Sequence, residues 1–227
     1  CPDCGSDVPV TVLLDTEYGP FPNPNPDYKM PVPELSDVVE VAAGYEHAIA
    51  LRSWGDVFFW GSSGFYPFTH TYARVPNGVD PVDIAHIAAG GFHDLLLGSN
   101  GVVHAWGQNG YGQIGNGLTG IVDAPGVTVL NNIAAIAAGK YHSVALDKSG
   151  RIWTWGLNDQ GQLGDGTTAP RHTPVATKWN RILAIAAGDR YTMGLRADGS
   201  IVTFGQLSGP RPKKADKALD LINQLIP

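Results

Sequence analysis

The sequence predicts an all-β fold: a β-propeller of four full repeat blades behind a partial N-terminal unit, each blade a four-stranded antiparallel sheet, with a short helix at the C-terminus. Three observations predict it. The string Ala-Ala-Gly recurs, ending at Gly44, Gly90, Gly139 and Gly188, in steps of 46, 49 and 49 residues. An aromatic-glycine pair follows each in constant phase, as Trp60-Gly61, Trp106-Gly107, Trp155-Gly156 and Phe204-Gly205. Between these marks apolar residues alternate with period two over short segments, as in Val144 and Leu146, which is strand spacing and not helix spacing. A repeat of this length built from strands alone buries its sheet faces only by stacking on its neighbours, which is the logic of propeller blades.

Residues 1–30 form an N-terminal extension. The sequence opens on Cys1-Pro2-Asp3-Cys4, its only two cysteines. Three readings stay open for them: a structural disulfide in an oxidising compartment, a lipid or other covalent anchor at Cys1, and an unreactive chain end. A thioredoxin-like site needs a strand and a helix around its Cys-x-x-Cys, and zinc needs about four ligands, so neither is expected. The strip Val8-Pro9-Val10-Thr11-Val12-Leu13-Leu14 is extended and apolar enough to act as a closing strand or as a strand donated to a neighbour.

The propeller repeats fill residues 31–206, in units at about 38–75, 83–130, 133–177 and 182–206. Asn100-Gly101, Ser149-Gly150 and Asp198-Gly199 lie between consecutive strands and have the composition of tight hairpins. His47, His93 and His142 each stand three residues after an Ala-Ala-Gly glycine, with Tyr191 in the fourth unit. Equivalent positions in successive blades spread around an axis instead of converging on one point. They are therefore expected to be structural, bonding to backbone within each blade, and not metal ligands or acid–base groups. Trp60, Trp106 and Trp155 are expected to fill the core between blades.

In the tail, 207–227, Ala215, Ala218, Leu219, Ile222, Leu225 and Ile226 fall on one helical face, predicting a short amphipathic helix that packs on the propeller's edge. Arg211, Lys213, Lys214 and Lys217 read as its solvated face.

Composition narrows the function. With 15 basic against 21 acidic residues the formal charge is −6, and the chain lacks the positive field of a general nucleic-acid binder. No apolar run reaches the roughly 18 residues that span a bilayer. Gly110-Tyr111-Gly112-Gln113-Ile114-Gly115 matches the dinucleotide-binding pattern Gly-x-Gly-x-x-Gly, but the same phase of the next unit reads Asp159-Gln160-Gly161-Gln162-Leu163-Gly164 and is followed by Asp165-Gly166-Thr167-Thr168, not a helical run, so these glycines serve a loop. With no metalloprotease, phosphate-loop or nucleophile-elbow motif, no catalytic residue, metal or cofactor is assigned.

Departures from the repeat point to binding. Trp54 holds the hairpin position that Asn100, Ser149 and Asp198 hold elsewhere, which puts a large ring on a solvent-facing tip. Phe65, Tyr66, Phe68 and Tyr72 replace the glycine-rich polar string of later units. These five aromatics are the candidate partner contacts, on two surfaces at opposite ends of one strand; the alternative is that they cover the first blade's open edge or pack under the Pro-rich segment 20–26.

The third unit runs Ala137-Ala138-Gly139-Lys140-Tyr141-His142-Ser143-Val144-Ala145-Leu146, then Trp153-Thr154-Trp155-Gly156, Gly161-Gln162-Leu163-Gly164-Asp165-Gly166-Thr167-Thr168 and Pro174-Val175. It resembles the regulator-of-chromosome-condensation repeat over about residues 31–206, with Tyr18-Gly19-Pro20-Phe21 and Pro31-Val32-Pro33 like the tail of a degraded preceding unit. The resemblance implies closed seven-bladed propellers, among them a small-GTPase exchange factor and a secreted bacterial β-lactamase inhibitor. Four units and a part do not close such a ring. A fragment, an oligomeric ring and a head-to-tail polymer are the outcomes to separate, with assembly expected. The functional expectation is a non-enzymatic propeller that binds other proteins or copies of itself, extracellular or on the cell surface. The alternative is an intracellular regulator resembling the exchange factors.

Overall fold

The computed structural model describes residues 35–61, 84–128 and 130–206. Every regular element among them is a strand. Blade 1 contains β1 (Val38–Ala43), β2 (His47–Arg52) and β3 (Val57–Gly61). Blade 2 contains β4 (Ile84–Ala89), β5 (His93–Gly98), β6 (Val103–Gly107) and β7 (Val122–Val127). Blade 3 contains β8 (Ile133–Ala138), β9 (His142–Asp147), β10 (Ile152–Gly156) and β11 (Arg171–Ala176). Blade 4 contains β12 (Ile182–Ala187), β13 (Tyr191–Arg196) and β14 (Ile201–Gly205).

Each sheet is an antiparallel meander whose strands pair in chain order. Blades 2 and 3 have the four strands expected of them. Blades 1 and 4 are described through three, and 62–83 and 207–227 lie outside the described residues. So do the N-terminal strip, the degraded unit and the amphipathic tail.

Sequence dictates these meanders locally. Gly55, Gly101, Gly150 and Gly199 turn the second strand of each blade into the third with φ of 87°, 81°, 82° and 78°, a region that costs glycine little. Asp147 supports one such turn through its Oδ1, which accepts from the backbone N–H groups of Ser149 and Arg151. The first strand of every blade carries a bulge at its start, at Val38/Glu40, Ile84/His86, Ile133/Ala135 and Ile182/Ala184. The extra residue turns outward, which is why Val39 and Leu183 are 63% and 62% exposed.

The blades stack face to face. The first strands adjoin in series, β1 beside β4, β4 beside β8 and β8 beside β12, so they line the axis. One boundary is filled by Leu95, Leu97, Val103 and Ala105 of blade 2 against Ile133, Ala145 and Trp155 of blade 3. The next sets Val144, Leu146 and Ile152 against Ile182 and Val202. In β9 nearly every side chain is buried, because a neighbouring blade covers each face. The period-two pattern there separates two covered faces rather than core from solvent.

Candidate functional site

The motif Ala-Ala-Gly-x-x-His builds a latch between blades. In blade 2 the Cε1–Nδ1 edge of His93 lies against Gly90, where a Cβ would meet Cε1 at 2.3 Å and the Gly139 carbonyl oxygen at 2.7 Å. Only glycine fits there. The opposite ring nitrogen reaches into the next blade, with His93 Nε2 2.8 Å from Ser143 Oγ. Ser143 Oγ donates to the Gln113 carbonyl at 2.7 Å, so its single proton is committed and His93 must donate from Nε2. His142 repeats the arrangement, 3.0 Å from Thr192 Oγ1, which donates to the Gln162 carbonyl at 2.9 Å.

The partner expected of the histidine rings is corrected. It is a side chain of the following blade, not backbone of the same one, because the ring's reach from the axis ends at the adjacent sheet. Burial holds His93 down to about 3, helped by the neighbouring histidines His142 and His47, and burial holds His142 down to about 4. At the first boundary the hydroxyl is replaced by a carboxylate, and His47 Nε2 lies 2.9 Å from Asp94 Oδ1 with both side chains buried. Burial disfavours the His47 cation, yet the Asp94 charge and hydrogen bond outweigh it and the pKa is raised.

Trp155 extends the latch, donating from Nε1 to the same Gln113 carbonyl at 2.7 Å while its ring covers Gly115. Phe204 covers Gly164 in the same way one blade on. Trp155 is fully buried and Trp106 packs into the boundary of blades 1 and 2. Trp60 is half-buried, and its Nε1 has no acceptor among the described residues. Gly110–Gly115 is a run of turns, with Gly112 and Gly115 at φ of 81° and 80°, pinned by Asn109 Oδ1 accepting from Ile114 N at 3.0 Å. No phosphate-binding helix follows it.

Because the latch fixes each Gly-x-x-His turn, the two residues inside it are presented from a rigid rim around the axis. They are Tyr45-Glu46, Gly91-Phe92 and Lys140-Tyr141, with Asp189-Arg190 in the same phase before Tyr191. Backbone bonds join successive turns, Tyr45 N donating to Gly91 O and Gly91 N to Lys140 O, each at 3.0 Å. The rim surrounds a shallow depression of about 320 Å³ floored by Gly44, Gly90, Gly139 and Gly188.

An aromatic arc crosses this turn face. Tyr45 stacks on Phe92 at 5.9 Å between ring centroids, Lys140 Nζ lies 4.6 Å from the Tyr45 ring and 5.5 Å from the Tyr141 ring, and Tyr141 meets Tyr111 at 5.4 Å. Tyr45 and Tyr111 are 55% and 43% exposed, and Leu118 and Ile121 of the adjoining loop are exposed too. Contacts of this kind suit a protein surface. The sequence reading passed over these residues. For Tyr45, Phe92, Lys140 and Tyr141 the signal was available at the two variable positions between Ala-Ala-Gly and His, which the repeat leaves free.

Trp54 stands on the opposite, hairpin face, 54% exposed. It is held in place by donating from Nε1 to Asp56 Oδ2 at 2.8 Å and by the Arg52 guanidinium 4.1 Å over its ring. Phe65, Tyr66, Phe68 and Tyr72 lie outside the described residues, as do Cys1 and Cys4. Among the described residues no group of three or more His, Cys, Asp and Glu side chains could hold a metal ion, and no helix is long and apolar enough to cross a membrane.

The repeat geometry agrees with the comparisons. Models of the regulator of chromosome condensation (RCC1) repeat match residues 100–146 and 149–195, and a second model of the same repeat matches 38–66, 84–113 and 133–162. No curated protein matches the chain. Among solved structures it is similar to Prp20p from Saccharomyces cerevisiae, described with its binding to Gsp1p and histones. The identity is 28% and the TM-score 0.66, over 75% of this chain and 44% of that one. A structure of Kap60 bound to yeast RCC1 (Prp20) gives 28%, 0.65, 75% and 42%. Human WBSCR16 shares the fold at 21% identity and TM-score 0.65, over 77% of this chain and 49% of its own. The chain therefore spans about half or less of the length of these relatives. It belongs to the regulator of chromosome condensation repeat family.

Proposed function

We propose that this chain is a non-catalytic protein-binding propeller that engages its partner through the turn face. The observation that carries the reading is the arc Tyr45–Phe92–Lys140–Tyr141–Tyr111, assembled from three blades, with all but Tyr111 of the β6–β7 loop on turns that the latches fix. Rigid, partly exposed tyrosines provide large contact area at low cost in side-chain entropy, the usual composition of binding hot spots. The RCC1-type relatives support it, since the Prp20 structures are described with protein partners. Trp54 would supply a separate anchor on the hairpin face. Copies of this chain are among the partners to be tried. A photo-crosslinking residue at position 111 tests the reading. Adducts to a defined protein that disappear in Tyr45→Ala support it, whereas adducts insensitive to that change contradict it.

A second reading, an exchange-type regulator of a small GTPase, is favoured by the 28% identity to Prp20p, whose structure is described with binding to Gsp1p. It predicts that the chain accelerates nucleotide release from a small GTPase, and unchanged release would exclude it.

A further inference from the structure

The hairpin face of blades 3 and 4 gathers Lys148 and Arg151 of one hairpin, Lys178 and Arg181 of the entry to blade 4, and Arg196 at the end of β13. All are exposed except the half-buried Arg196. Two of them flank Trp179, with Lys178 Nζ 5.1 Å and the Arg196 guanidinium 4.8 Å from its ring. None of the five is within ion-pair distance of a carboxylate among the described residues, whereas Arg52, Arg171 and Arg190 are paired with Asp37, Asp165 and Asp159. The two carboxylates beside the patch are engaged by the hairpins themselves. Asp147 accepts from Ser149, from the Arg151 backbone N–H and from Trp153, and Asp198 accepts from Ser200 while the Arg196 charge acts on it.

The propeller does not require these cations. At the preceding boundary the same phases carry Ser99, Val102 and Asn132 where this one has Lys148, Arg151 and Arg181. Arg181 is the sharpest departure. It sits in the left-handed region at φ 58°, as Asn132 does at 59° and Asp37 at 60°. Asn and Asp tolerate that region, and arginine does so at a local cost. Neighbouring backbone holds it there, since Ala197 N donates to Arg181 O at 3.3 Å and Ile182 N to Gly150 O at 3.0 Å. A cation carried on a strained backbone position, in a chain of net charge −6, points to a role outside the fold.

We propose that this patch docks an acidic segment of a protein partner, its carboxylates on Arg151, Lys178 and Arg181 and an apolar side chain on exposed Leu183. Charge complementarity selects the class. A short acidic peptide meets only the local excess of positive charge, whereas a long polyanion such as duplex DNA would continue onto a surface that is acidic in sum. The surface lies opposite the aromatic arc and stands or falls independently of it.

The test uses the full chain and a fluorescein-labelled twelve-residue peptide of Glu, Asp and Leu, with a counterpart in which Gln and Asn replace the acids. The acidic peptide is expected to bind, at least tenfold more tightly in 50 mM than in 200 mM salt. The triple variant Arg151→Gln, Lys178→Gln, Arg181→Asn is expected to weaken it at least tenfold with no fall in unfolding midpoint, because Asn is the easier residue at that φ. Equal binding of the neutral peptide, no binding in 50 mM salt, undiminished binding by the triple variant, or tighter binding of a single-stranded oligonucleotide of equal charge would each overturn the proposal.

Discussion

Gly139 is enclosed by its own blade and the next. A Cβ there would stand 2.2 Å from His142 Cε1 and 2.5 Å from the Gly188 carbonyl oxygen, and neither can retreat without breaking the latch or the axial backbone. Gly139→Ala is expected to destabilise the chain by about 3 kcal/mol, read from the urea midpoint. Ser143→Ala removes the acceptor for a buried His93 N–H and is expected to cost about 1–3 kcal/mol. Trp54→Ala, at an exposed tip, should shift stability by no more than about 1 kcal/mol, leaving any binding defect to be read as lost contact. At the level of single residues the repeat phase marked the histidine positions in the sequence. It hid their partners, because His93 and Ser143 are fifty residues apart and meet only when blades stack. The rim tyrosines were hidden for the opposite reason, since they occupy the positions that the repeat does not specify.

Blade boundaries are where pH enters. His93 and His142 take a proton near pH 6.5 when unfolded but only at about 3 and about 4 when folded. Their contribution is complete above pH 6.5 and falls as the pH drops, by about 1.4 kcal/mol per unit for each, or about 4 kcal/mol for both by pH 5. Urea titrations at pH 7.5 and 5 should show that loss. The His47–Asp94 boundary has the opposite sign. Its raised histidine pKa gives stability that is complete below pH 6.5 and is lost as the pH rises through the folded value. Asp94→Ser, which copies the other boundaries, should therefore lose more stability than the wild type between pH 7.5 and 5. An equal or smaller loss would show that the first boundary is not held by charge. Strands and hairpins were legible before the structure because glycine turns and period-two segments are local. The burial of both faces in β9 was not, since that depends on blades contributed by distant residues.

On the scale of the whole molecule, the described blades form a stack with two unlike faces. The turn face presents aromatic rings on latched turns, and the hairpin face presents Trp54 at one end and a basic patch at the other. Net charge of −6 concealed that patch, because an average over the chain says nothing of where charges collect. The repeat period disclosed the stacking, while the pairing of faces with partners had to come from geometry. The central claim is that the turn face binds protein through its aromatic arc. The measurement that tests it most directly is the affinity of the crosslinked partner, once purified, for the chain and for the variant Tyr45→Ser, Tyr111→Ser, with unfolding midpoints measured alongside. Binding at least tenfold weaker at an unchanged midpoint is expected. Undiminished binding by a folded variant would contradict it.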